Sequence, residues 1–550
     1  MRGGEGVGRV GEGLTPEAER LLGKFEVLAG APGGVKRLRG LVLELAVRGR
    51  LIQQTSTDGA VSVLGQVEET DPFSIPRSWV WTPIERICAD SFYGPRFSKE
   101  DYVGRDGVPT IRTTDMRSDG SISLCDAPRI RLTAEKLALY RVIDGDLLVT
   151  RSGSIGTMAV FRGEHDAIPS AYLIRFRFES SALPEYVCTI LRSPYGLRVM
   201  GLGVTGSAQP NLNATAIRAI LIPLPPLPEQ RRIVAKVDDL MKLCDDLEAR
   251  QTKQRETASR LNKAALAALT SAEGPEELAE SWRRVTGSFE GLIHTPESVG
   301  ELRKAVLELA VRGRLVPQVP GEEPAAYLLA RLREQDSLKI RKTRGREPRE
   351  LLPVSSDEAP YEVPSSWQWA RFVEVATIES CLVDPSDLGH MPHVAPDNIE
   401  KGTGRLLPFR TIAEDAVTSG KHRFYAGHLL YSKIRPNLSK IVLVDFDGLC
   451  SADMYPLAAK VDSRFLQTFI LSVGFLRQVV KEDNRIAMPK VNQEQLNETV
   501  VAVPPLAEQH RIVAKVDALM ALCDTLEAAL RRSEDTAQKL ADALVAELLA

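Results

Sequence analysis

Two stretches of the chain place apolar residues at alternating steps of four and three positions. A period of about 3.5 residues puts these side chains on one stripe of a helix and is typical of a coiled-coil seam. The stripes consist of Ile233, Val237, Leu240, Cys244 and Leu247 in the first stretch and of Ile512, Val516, Leu519, Cys523 and Leu526 in the second. The pattern therefore predicts two long helices, each of about 40 residues and about 60 Å.

Each predicted long helix begins after a pair of prolines. An extended apolar run ends in Pro-Pro-Leu at 225–227 and again at 504–506. Proline is tolerated at the start of a helix but not in its interior, because it lacks a backbone N–H and its ring collides with the preceding turn. Glu229 and Glu508 then fall in the first turn, where a carboxylate complements the helix dipole. The prolines therefore mark a junction between a strand and a helix in both copies.

The long helices belong to a duplication that spans the chain. Residues 225–248 and 504–527 are identical at nineteen of twenty-four positions. Two further pairs of segments repeat in the same order: 23–54 with 287–318, both containing LELAVRGRL, and PRSWVW at 76–81 with PSSWQW at 364–369. The stretches between the shared parts do not resemble each other. A duplicated frame with two divergent inserts indicates one scaffold that carries two different recognition modules.

The shared parts also predict how the frame packs. The two seams are expected to pair with each other inside one chain, and a coiled coil between two chains is the alternative. The segment that contains LELAVRGRL is predicted to be helical up to Arg48 and Arg312, with Gly49 and Gly313 as C-caps. Its apolar residues form one broad face, which we expect to pack against the long helices.

The divergent stretches, at residues 72–222 (insert 1) and 363–502 (insert 2), are predicted to be rich in β-strands. RVIDGDLLVTRSGSIGTMAVF in insert 1 is typical of strands joined by a glycine-containing turn. In both inserts a G-D/H-L-L turn precedes a strand that ends in basic residues, Arg151 in one and Lys433 with Arg435 in the other. The predicted fold class is α+β: two β-rich domains separated by a pair of long antiparallel coiled-coil helices, with a pseudo-twofold internal repeat.

These patterns divide the chain into eight segments. They are a flexible N-terminus at 1–22, a helical block at 23–71 (block 1), insert 1 at 72–222, a long helix at 223–271, a linker at 272–295, a second helical block at 296–362 (block 2), insert 2 at 363–502 and a long helix at 503–550. Block 2 contains 24 additional residues before its S-W-x-W motif, since the repeat offset changes from 264 to 288. These residues include the basic run 339–350. A solvated helix end and a contact to DNA phosphate or to a protein partner are both open for this run.

The overall composition is that of an ordinary globular protein. Hydrophobic residues make up 43% of the 550 residues and charged residues 26%. No apolar run approaches the ~20 residues of a membrane helix, and the N-terminus lacks the apolar core of a secretory signal. The seven cysteines have no paired spacing, which disfavours a zinc or disulfide framework and fits a reducing cytoplasm. The net charge of −3 gives no nucleic-acid signal, although a global sum can conceal a local basic surface.

The polar loops of the inserts contain the residue types that bind DNA. Arg and Lys can pair with guanine, Asn and Gln with adenine, while Ser and backbone N–H groups hold the phosphate backbone. The candidates are Arg96, Lys99, Arg112, Arg151, Ser154, Ser207, Gln209 and Asn211 in insert 1, and Lys433, Arg435, Asn437, Lys440, Arg485, Lys490 and Asn492 in insert 2. For each of them a solvated surface side chain is the alternative, so the loops are stronger candidates as sets than residue by residue.

The sequence carries no clear signature of catalysis. RSGSIGTM lacks the Lys-Ser/Thr that ends a phosphate-binding loop, which favours a tight turn. The chain has no Asp/Asn-Pro-Pro-aromatic tetrapeptide, with which an adenine methyltransferase holds a flipped base, and no convincing nuclease cluster. His390 and His393 are three residues apart in a loop rich in Pro and Asp, where a metal site is the less favoured interpretation. No residue is therefore assigned to catalysis or to a metal.

Together these motifs resemble the specificity (S) subunit of type I restriction–modification enzymes. The resemblance covers nearly the whole chain and rests on the PPLPEQRRIV and PPLAEQHRIV junctions, the LELAVRGRL helices, the S-W-x-W segments, the QPNLN loop and the YSKIRPNLSK and CSADMYPL segments. It implies two target-recognition domains joined by two helical regions. Each domain would recognise one half of a split DNA site, and the helices would set the unspecified spacer.

The same resemblance implies partners and cofactors. An S subunit is itself non-catalytic and binds methyltransferase (M) subunits, two of which are expected here, and restriction (R) subunits. S-adenosylmethionine, ATP and Mg are expected on those partner subunits and no cofactor in this chain. Two alternatives stay open: a coiled-coil scaffold or dimerisation protein without a DNA role, and a self-sufficient restriction–methylation enzyme.

Overall fold

The computed structural model of the chain describes ten ranges of residues. They are 13–61, 71–104, 106–117, 120–151, 156–163, 165–201, 212–272, 274–344, 353–480 and 490–549. The chain divides into two compact units. Unit 1 combines the residues up to Gln254 with the segment from Ser533 onwards, and unit 2 is Arg255–Arg532. Each insert therefore lies in the same unit as the helical block that precedes it.

Helices form the frame of each unit. Those of block 1 and of the N-terminal region are α1 (Pro16–Gly23), α2 (Phe25–Gly30) and α3 (Gly34–Val47), and those of unit 2 before insert 2 are α9 (Pro275–Gly287), α10 (Phe289–Leu292), α11 (Pro296–Val311) and α12 (Ala325–Arg344). The long helices are α8 (Leu227–Ser271), with 45 residues, and α17 (Leu506–Leu549), with 44. Both begin directly after their Pro-Pro pair, as predicted. Within the described ranges, no helix combines the length and the apolar character needed to cross a membrane.

The block helices α3 and α11 end in the same way. Gly49 has a φ of +67° and Gly313 a φ of +70°, a left-handed conformation that glycine adopts without steric cost. The Arg50 N–H donates to the Leu45 carbonyl at 2.8 Å, and the Arg314 N–H makes the equivalent bond at 2.9 Å. These bonds are those of the Schellman motif, which satisfies carbonyls left free at a helix end. The predicted C-caps are confirmed in both units.

Insert 1 consists of three small sheets and four helices in the part of it that the structure describes. Its strands are β1 (Val80–Pro83), β2 (Cys88–Tyr93), β3 (Tyr102–Val103), β4 (Val108–Ile111), β5 (Arg129–Ile130), β6 (Leu147–Thr150), β7 (Met158–Val160), β8 (Ile168–Pro169), β9 (Leu173–Phe178) and β10 (Leu221–Leu224). Its helices are α4 (Ala134–Tyr140), α5 (Pro184–Arg192), α6 (Pro194–Val199) and α7 (Ala214–Arg218). The first and last strands pair antiparallel, so the chain leaves the insert beside the point where it enters. The other strands form sheets of order β2-β9-β6-β7 and β3-β5-β4-β8.

Insert 2 follows the same plan with one additional strand. Its strands are β11 (Gln368–Arg371), β12 (Ala376–Ile378), β13 (Leu382–Val383), β14 (Pro392–Val394), β15 (Arg410–Thr411), β16 (Lys421–Phe424), β17 (Leu429–Ser432), β18 (Ile441–Leu443), β19 (Gly448–Cys450), β20 (Met454–Ala459) and β21 (Val500–Val503). Its helices are α13 (Phe372–Val375), α14 (Ser463–Leu471), α15 (Val473–Val479) and α16 (Gln493–Glu498). β11 pairs with β21, and the sheets have the orders β12-β20-β17-β18 and β13-β16-β19-β14-β15.

One sheet is equivalent in the two inserts. The order β2-β9-β6-β7 in insert 1 matches β12-β20-β17-β18 in insert 2, and every neighbouring pair in both is antiparallel. We call this the shared sheet. The remaining sheet has four strands in insert 1 and five in insert 2. The predicted α+β class and the common plan of the inserts are confirmed, and so are the two strands on either side of the RSGSIGTM loop, which pair antiparallel. The central residues of that loop, 152–155, lie outside the described residues.

The seams lie on buried faces, but the partner predicted for them was wrong. In unit 1 the first seam packs with α3 and with Ala541 and Leu548 from the last part of α17. In unit 2, Ile512 and Val516 pack with α11, and Cys523 packs with Leu292, Ile293 and Val299. A 3.5-residue period identifies the face that is buried but not the element that covers it. The expected packing of the block helices on the long helices is confirmed, and each unit combines the first part of one long helix with the last part of the other.

Two segments predicted as flexible or connecting are folded. Residues 1–12 lie outside the described residues, but α1 begins at Pro16, and Leu14 and Leu21 are buried in the core of unit 1. The segment 272–295, predicted as a linker, contains α9 and α10, and Val285 is buried against α8 and α11. The sequence prediction missed these helices because they are short and have few apolar positions.

The additional residues of block 2 form α12, which packs on insert 2. Leu329 is buried in the core of this insert. The Arg333 guanidinium bonds Glu374 at 2.7 Å, and the Lys460 ammonium bonds Asp336 at 2.7 Å. The basic run 339–350 begins in the last turns of α12, and its side chains lie outside the described residues. Both interpretations of that run stay predictions.

Candidate nucleic-acid interface

A middle strand of the shared sheet ends in a basic residue in both inserts. This strand is β6 in insert 1, followed by Arg151, and β17 in insert 2, followed by Lys433. The Arg151 N–H donates to the Tyr172 carbonyl at 3.0 Å, and the Lys433 N–H donates to the Asp453 carbonyl at 3.0 Å. Tyr172 and Asp453 each immediately precede the neighbouring strand, β9 or β20. Arg151 and Lys433 therefore occupy equivalent positions in the shared sheets of the two inserts.

Both basic side chains lie over a tyrosine ring. The Arg151 guanidinium carbon is 4.9 Å from the centroid of Tyr93, and the Lys433 ammonium is 5.1 Å from the centroid of Tyr455. The negative face of an aromatic ring attracts a cation by about 0.5–1 kcal/mol at exposed sites. Tyr93 belongs to β2 and Tyr455 to β20. Both inserts therefore place a cation over a tyrosine at this strand end, but the tyrosine comes from strands that are not equivalent.

The loop that closes each insert meets this strand end. In insert 1 the Ala214 N–H donates to the Tyr93 hydroxyl at 2.9 Å, directly after the QPNLN loop. In insert 2 the Val491 N–H donates to the Lys433 carbonyl at 2.8 Å. The structure thus brings together the loop after the middle strand and the loop before the long helix, which the sequence treats as separate sets.

We call these regions strand-end surface 1 (Tyr93, Arg151 and Tyr172) and strand-end surface 2 (Lys433, Asp453 and Lys490). In strand-end surface 2, the Lys490 ammonium lies 3.3 Å from the Asp453 carboxylate. At the position that corresponds to Asp453, strand-end surface 1 has Tyr172, which is 60% exposed. One plan of the backbone therefore presents different chemistry in each unit.

Comparison with known sequences places this architecture in a family. The sequence profile of the type I restriction modification DNA specificity domain matches residues 83–256 and, a second time, residues 364–533. Each match contains one shared sheet and the first part of one long helix. The two matches together cover more than half of the chain. The chain belongs to this family.

Relatives within this specificity family align over most of the chain. The specificity subunit of the type I restriction enzyme EcoAI from Escherichia coli is 27% identical over 557 residues, which are 93% of this chain and 93% of that relative. The EcoDI specificity subunit, also from Escherichia coli, is 36% identical over 274 residues, which are 50% of this chain and 58% of that relative. A solved chain described under "complex assembly and conformational transition of the type I R-M system" has a TM-score of 0.50 at 18% identity and covers 87% of this chain and 99% of its own. That likeness shows a shared fold.

Six of the DNA-binding candidates are exposed in this specificity-family chain. They are Arg96, Lys99, Arg435, Asn437, Lys490 and Asn492. Arg435 has a φ of +49°, and Ser439, four residues later, has a φ of +45°. A left-handed conformation costs a residue with a Cβ roughly 1–2 kcal/mol. The turn after β17 therefore contains strained backbone, as functional loops often do.

Four of the candidates, two of them exposed, hold structure together. The Arg112 guanidinium bonds the buried Asp115 carboxylate at 2.7 Å, which raises the pKa of Arg112. Lys440 donates to the Pro396 carbonyl at 2.6 Å, the Asn492 side chain caps α16, and Lys490 is paired with Asp453 as described above. The partners of Lys440 and Lys490 are brought close only by the fold, whereas those of Arg112 and Asn492 lie three residues away in the sequence.

Five candidates lie outside the described residues: Ser154, Ser207, Gln209, Asn211 and Arg485. Their positions flank described anchors of the strand-end surfaces, because Ser154 follows Arg151 and Arg485 precedes Lys490. Their roles stay predictions.

Sequence reasoning missed the aromatic residues of strand-end surface 1. Tyr93 and Tyr172 are 39% and 60% exposed. Each lies at the end of a segment whose composition predicts a strand, so the usual interpretation is a buried side chain. Only the register that pairs β2, β9 and β6 brings both tyrosines to the strand end at which Arg151 lies.

A buried polar cluster joins each insert to its long helix. Glu229 accepts a bond from Gln54 at 2.7 Å, and Glu508 accepts bonds from Gln318 at 2.6 Å and from the Trp367 indole at 3.0 Å. Burial raises the pKa of both carboxyls, and the bonds from the glutamines oppose that rise. The bonds from Gln54 and Gln318 connect the first turn of each long helix to its helical block, and the bond from Trp367 connects it to insert 2.

The neighbouring glutamine of each PPLxEQ repeat connects to the insert. Gln230 Oε1 accepts from the Leu183 N–H at 2.7 Å, and Gln509 Oε1 accepts from the Asp462 N–H at 2.9 Å. Leu183 and Asp462 are the N-caps of α5 and α14. The Glu-Gln pair of the repeat therefore ties block, insert and long helix together in each unit.

The histidine and cysteine candidates have structural neighbours. His393 Nδ1 lies 2.8 Å from the Asp415 carboxylate, and His390 is exposed. Across the ranges that the structure describes, no group of three or more His, Cys, Asp or Glu could hold a metal ion. Cys244 and Cys523 lie in the packed faces of the long helices, where burial raises the pKa of Cys244 to about 11. This placement agrees with the core role predicted for both thiols.

Proposed function

We propose that this chain is the DNA-recognising S subunit of a type I restriction–modification complex. Insert 1 and insert 2 are its target-recognition domains, and each binds one half of a bipartite, asymmetric DNA site. The observation that carries this proposal concerns the shared sheet. In both inserts a middle strand of this sheet is followed by a basic residue whose side chain lies over a tyrosine ring, while the surrounding side chains differ. One scaffold presenting two unlike surfaces suits a site with two unlike halves.

The long helices have a second role in this proposal. Each passes through both units as one continuous helix, so together they set the number of unspecified base pairs between the half-sites. Two domains that bind one side of B-DNA must lie about one helical turn apart, or about 34 Å, and helices of this length can span that distance. The helical frame also supplies the surface to which M subunits bind.

The chemistry belongs to the partners in this proposal. Two M subunits bind S-adenosylmethionine and methylate adenine in each half-site, and R subunits cleave DNA with ATP and Mg. The chain contributes recognition and geometry and is not itself an enzyme. The sequence offers neither the methyltransferase tetrapeptide nor a nuclease cluster that a self-sufficient enzyme would need.

Long-read methylome sequencing of the host, with and without this gene, tests the proposal. We expect one bipartite adenine-methylation motif to disappear when the gene is removed and to return when it is supplied on a plasmid. An unchanged methylome in a host whose M subunit gene is expressed contradicts the proposal. That outcome would favour the coiled-coil scaffold without a DNA role.

A further inference from the structure

Strand-end surface 1 holds the Arg151 guanidinium over a tyrosine ring. The Arg151 guanidinium lies on the Tyr93 ring, and the ring is anchored by the bond from the Ala214 N–H to its hydroxyl. The backbone of Arg151 is fixed by its bond to the Tyr172 carbonyl. A guanidinium that interacts with an aromatic ring through its flat face keeps the N–H groups in its plane available to a ligand.

Four other arginines of insert 1 each pair closely with an acid, whereas no acid among the described residues pairs with Arg151. Arg112, Arg162, Arg175 and Arg177 all have a carboxylate within 3 Å. Among the residues that the structure describes, no carboxylate lies within 4 Å of the Arg151 guanidinium. Among the described residues this half-buried cation therefore contacts a tyrosine ring and has no acid partner.

The N–H donors of a guanidinium lie in one plane and match the hydrogen-bonding edge of one base. Guanine presents N7 and O6 as two acceptors in the major groove, and arginine binds both at once. A DNA phosphate also accepts two parallel bonds from an arginine. Loss of a phosphate contact weakens binding to all sequences alike, whereas loss of a guanine contact changes the preference at one position.

We propose that Arg151, oriented by Tyr93, recognises a guanine in the half-site bound by insert 1. This inference rests on the proposed function. Lys433 is the corresponding cation of insert 2, so exchanging it affects only the other half-site. Arg151 determines specificity, and Tyr93 is its positioning residue.

The experiment uses the complex of this chain with its M subunits. Methylome sequencing first defines the two half-sites, and binding of duplexes with every base exchanged in turn then measures discrimination. We expect Arg151→Gln and Arg151→Lys to lower the preference for guanine at one position of one half-site by about 10- to 100-fold. Tyr93→Leu should reduce the same preference, and Tyr93→Phe, which keeps the ring, should retain most of it.

Two matched controls separate recognition from folding. Arg162 follows β7, whose pairing with β6 places it at the opposite end of the same hairpin, and it forms an exposed ion pair with Asp144. Arg162→Gln should leave both half-sites unchanged. Lys433→Gln should alter the second half-site and leave the first one intact. Thermal unfolding of each complex shows whether a variant has lost structure instead.

The outcomes distinguish this inference from the proposed function. A wild-type complex that yields no bipartite motif contradicts both. A bipartite motif whose guanine preferences are the same in wild type, Arg151→Lys and Arg151→Gln overturns the role of Arg151 alone, as does a half-site with no guanine that depends on residue 151. Equal weakening of both half-sites together with a lower unfolding temperature assigns Arg151 a structural role and overturns the inference as well.

Discussion

At the scale of single residues, Glu229 and Glu508 show how a repeated motif can have two physical explanations. The sequence predicts a carboxylate that complements a helix dipole in the first turn. The structure adds that both side chains are buried and that each accepts a bond from a glutamine of the preceding block. Burying a carboxylate is costly unless it is hydrogen-bonded, so these bonds explain why the repeat keeps a polar pair inside a core. The dipole alone would permit an exposed acid.

The raised pKa of Glu508 predicts a pH-dependent effect of Glu508→Gln. Burial holds this pKa above its ordinary value of 4.5. The wild-type side chain is therefore best tolerated below that value, and its contribution to stability is lost as pH rises through the raised pKa. The amide does not titrate. We expect the unfolding temperature of the variant, relative to wild type, to increase between pH 5 and pH 8.

Differential scanning fluorimetry across that pH range measures the effect. Glu494→Gln, at an exposed position of α16, is the control for the exchange of a carboxylate by an amide. A difference between Glu508→Gln and wild type that decreases as pH rises would contradict the assignment of a burial-raised pKa.

Gly313 predicts a loss of stability upon a minimal substitution. A Cβ at this position would lie 2.6 Å from Pro364 Cγ and 3.1 Å from a carbon of the Trp367 ring, in addition to the strain of its φ of +70°. We expect Gly313→Ala to lower the free energy of unfolding of unit 2 by about 2–4 kcal/mol, as measured by urea denaturation. Gly321→Ala, with a positive φ but open space around it, should cost about 1 kcal/mol. Equal effects of both variants would refute the steric explanation.

At the scale of elements, the sequence predicts periodic segments well and their partners poorly. The stripe from Ile233 to Leu247 defines a helix and its buried face, because apolar side chains at this spacing share one side. Nothing in that stripe distinguishes α3 from the other long helix as the covering element. The strands around RSGSIGTM were likewise predictable, but the order β2-β9-β6-β7 depends on pairings between distant residues.

Some residues of the candidate site could likewise be predicted from the sequence, and others could not. The basic residues after the middle strands could be found from the sequence, since both inserts share the turn before them. The tyrosine under each cation could not, because Tyr93 and Tyr455 are contributed by different strands. Arg112 and Lys440 were candidates by residue type alone, and their true partners, Asp115 and the Pro396 carbonyl, show them to be structural.

The long helix α8 predicts how the spacer can be changed. Gln251 donates to the Ala29 carbonyl in unit 1, Asn262 donates to the Leu292 carbonyl in unit 2, and residues 252–260 between them are almost all exposed. Inserting seven residues there keeps the 3.5-residue register and adds about 10 Å. If α17 is extended equally near its exposed residues 531–536, we expect a longer spacer with both half-sites unaltered.

Methylome sequencing of the doubly extended variant measures the spacer directly. Extension of α8 alone is the comparison, and we expect it to lower stability because α17 also passes through both units. A doubly extended variant with changed half-site bases and an unchanged spacer would disprove the role of the helices.

At the scale of the whole molecule, each unit depends on both long helices. Ala541 and Leu548 in the last part of α17 are buried in the core of unit 1, and Arg37 and Lys24 form ion pairs with acids of the same segment. A chain truncated after Arg532 loses these contacts. We expect the stability of unit 1 to fall by about 3–6 kcal/mol, since two buried side chains and several partly buried ones are removed.

Hydrogen–deuterium exchange tests this truncation unit by unit. Amides of α3 and the shared sheet of insert 1 should exchange faster, while those of insert 2 keep their protection. Ala541→Ser in the full-length chain is a milder control at the same contact. Faster exchange confined to unit 2 would contradict the assignment of this segment to unit 1.

The division of the chain between the units has a consequence for biosynthesis. Unit 2 is one continuous segment, so it can fold as soon as Arg532 has left the ribosome. Unit 1 contains residues that are made before unit 2, but it also needs the segment from Ser533 onwards, which is made after unit 2. During translation unit 1 therefore stays incomplete until unit 2 and the segment after it have been made. A nascent chain that stops short would carry a finished insert 2 and an exposed apolar face on α3, which a chaperone or protease can recognise.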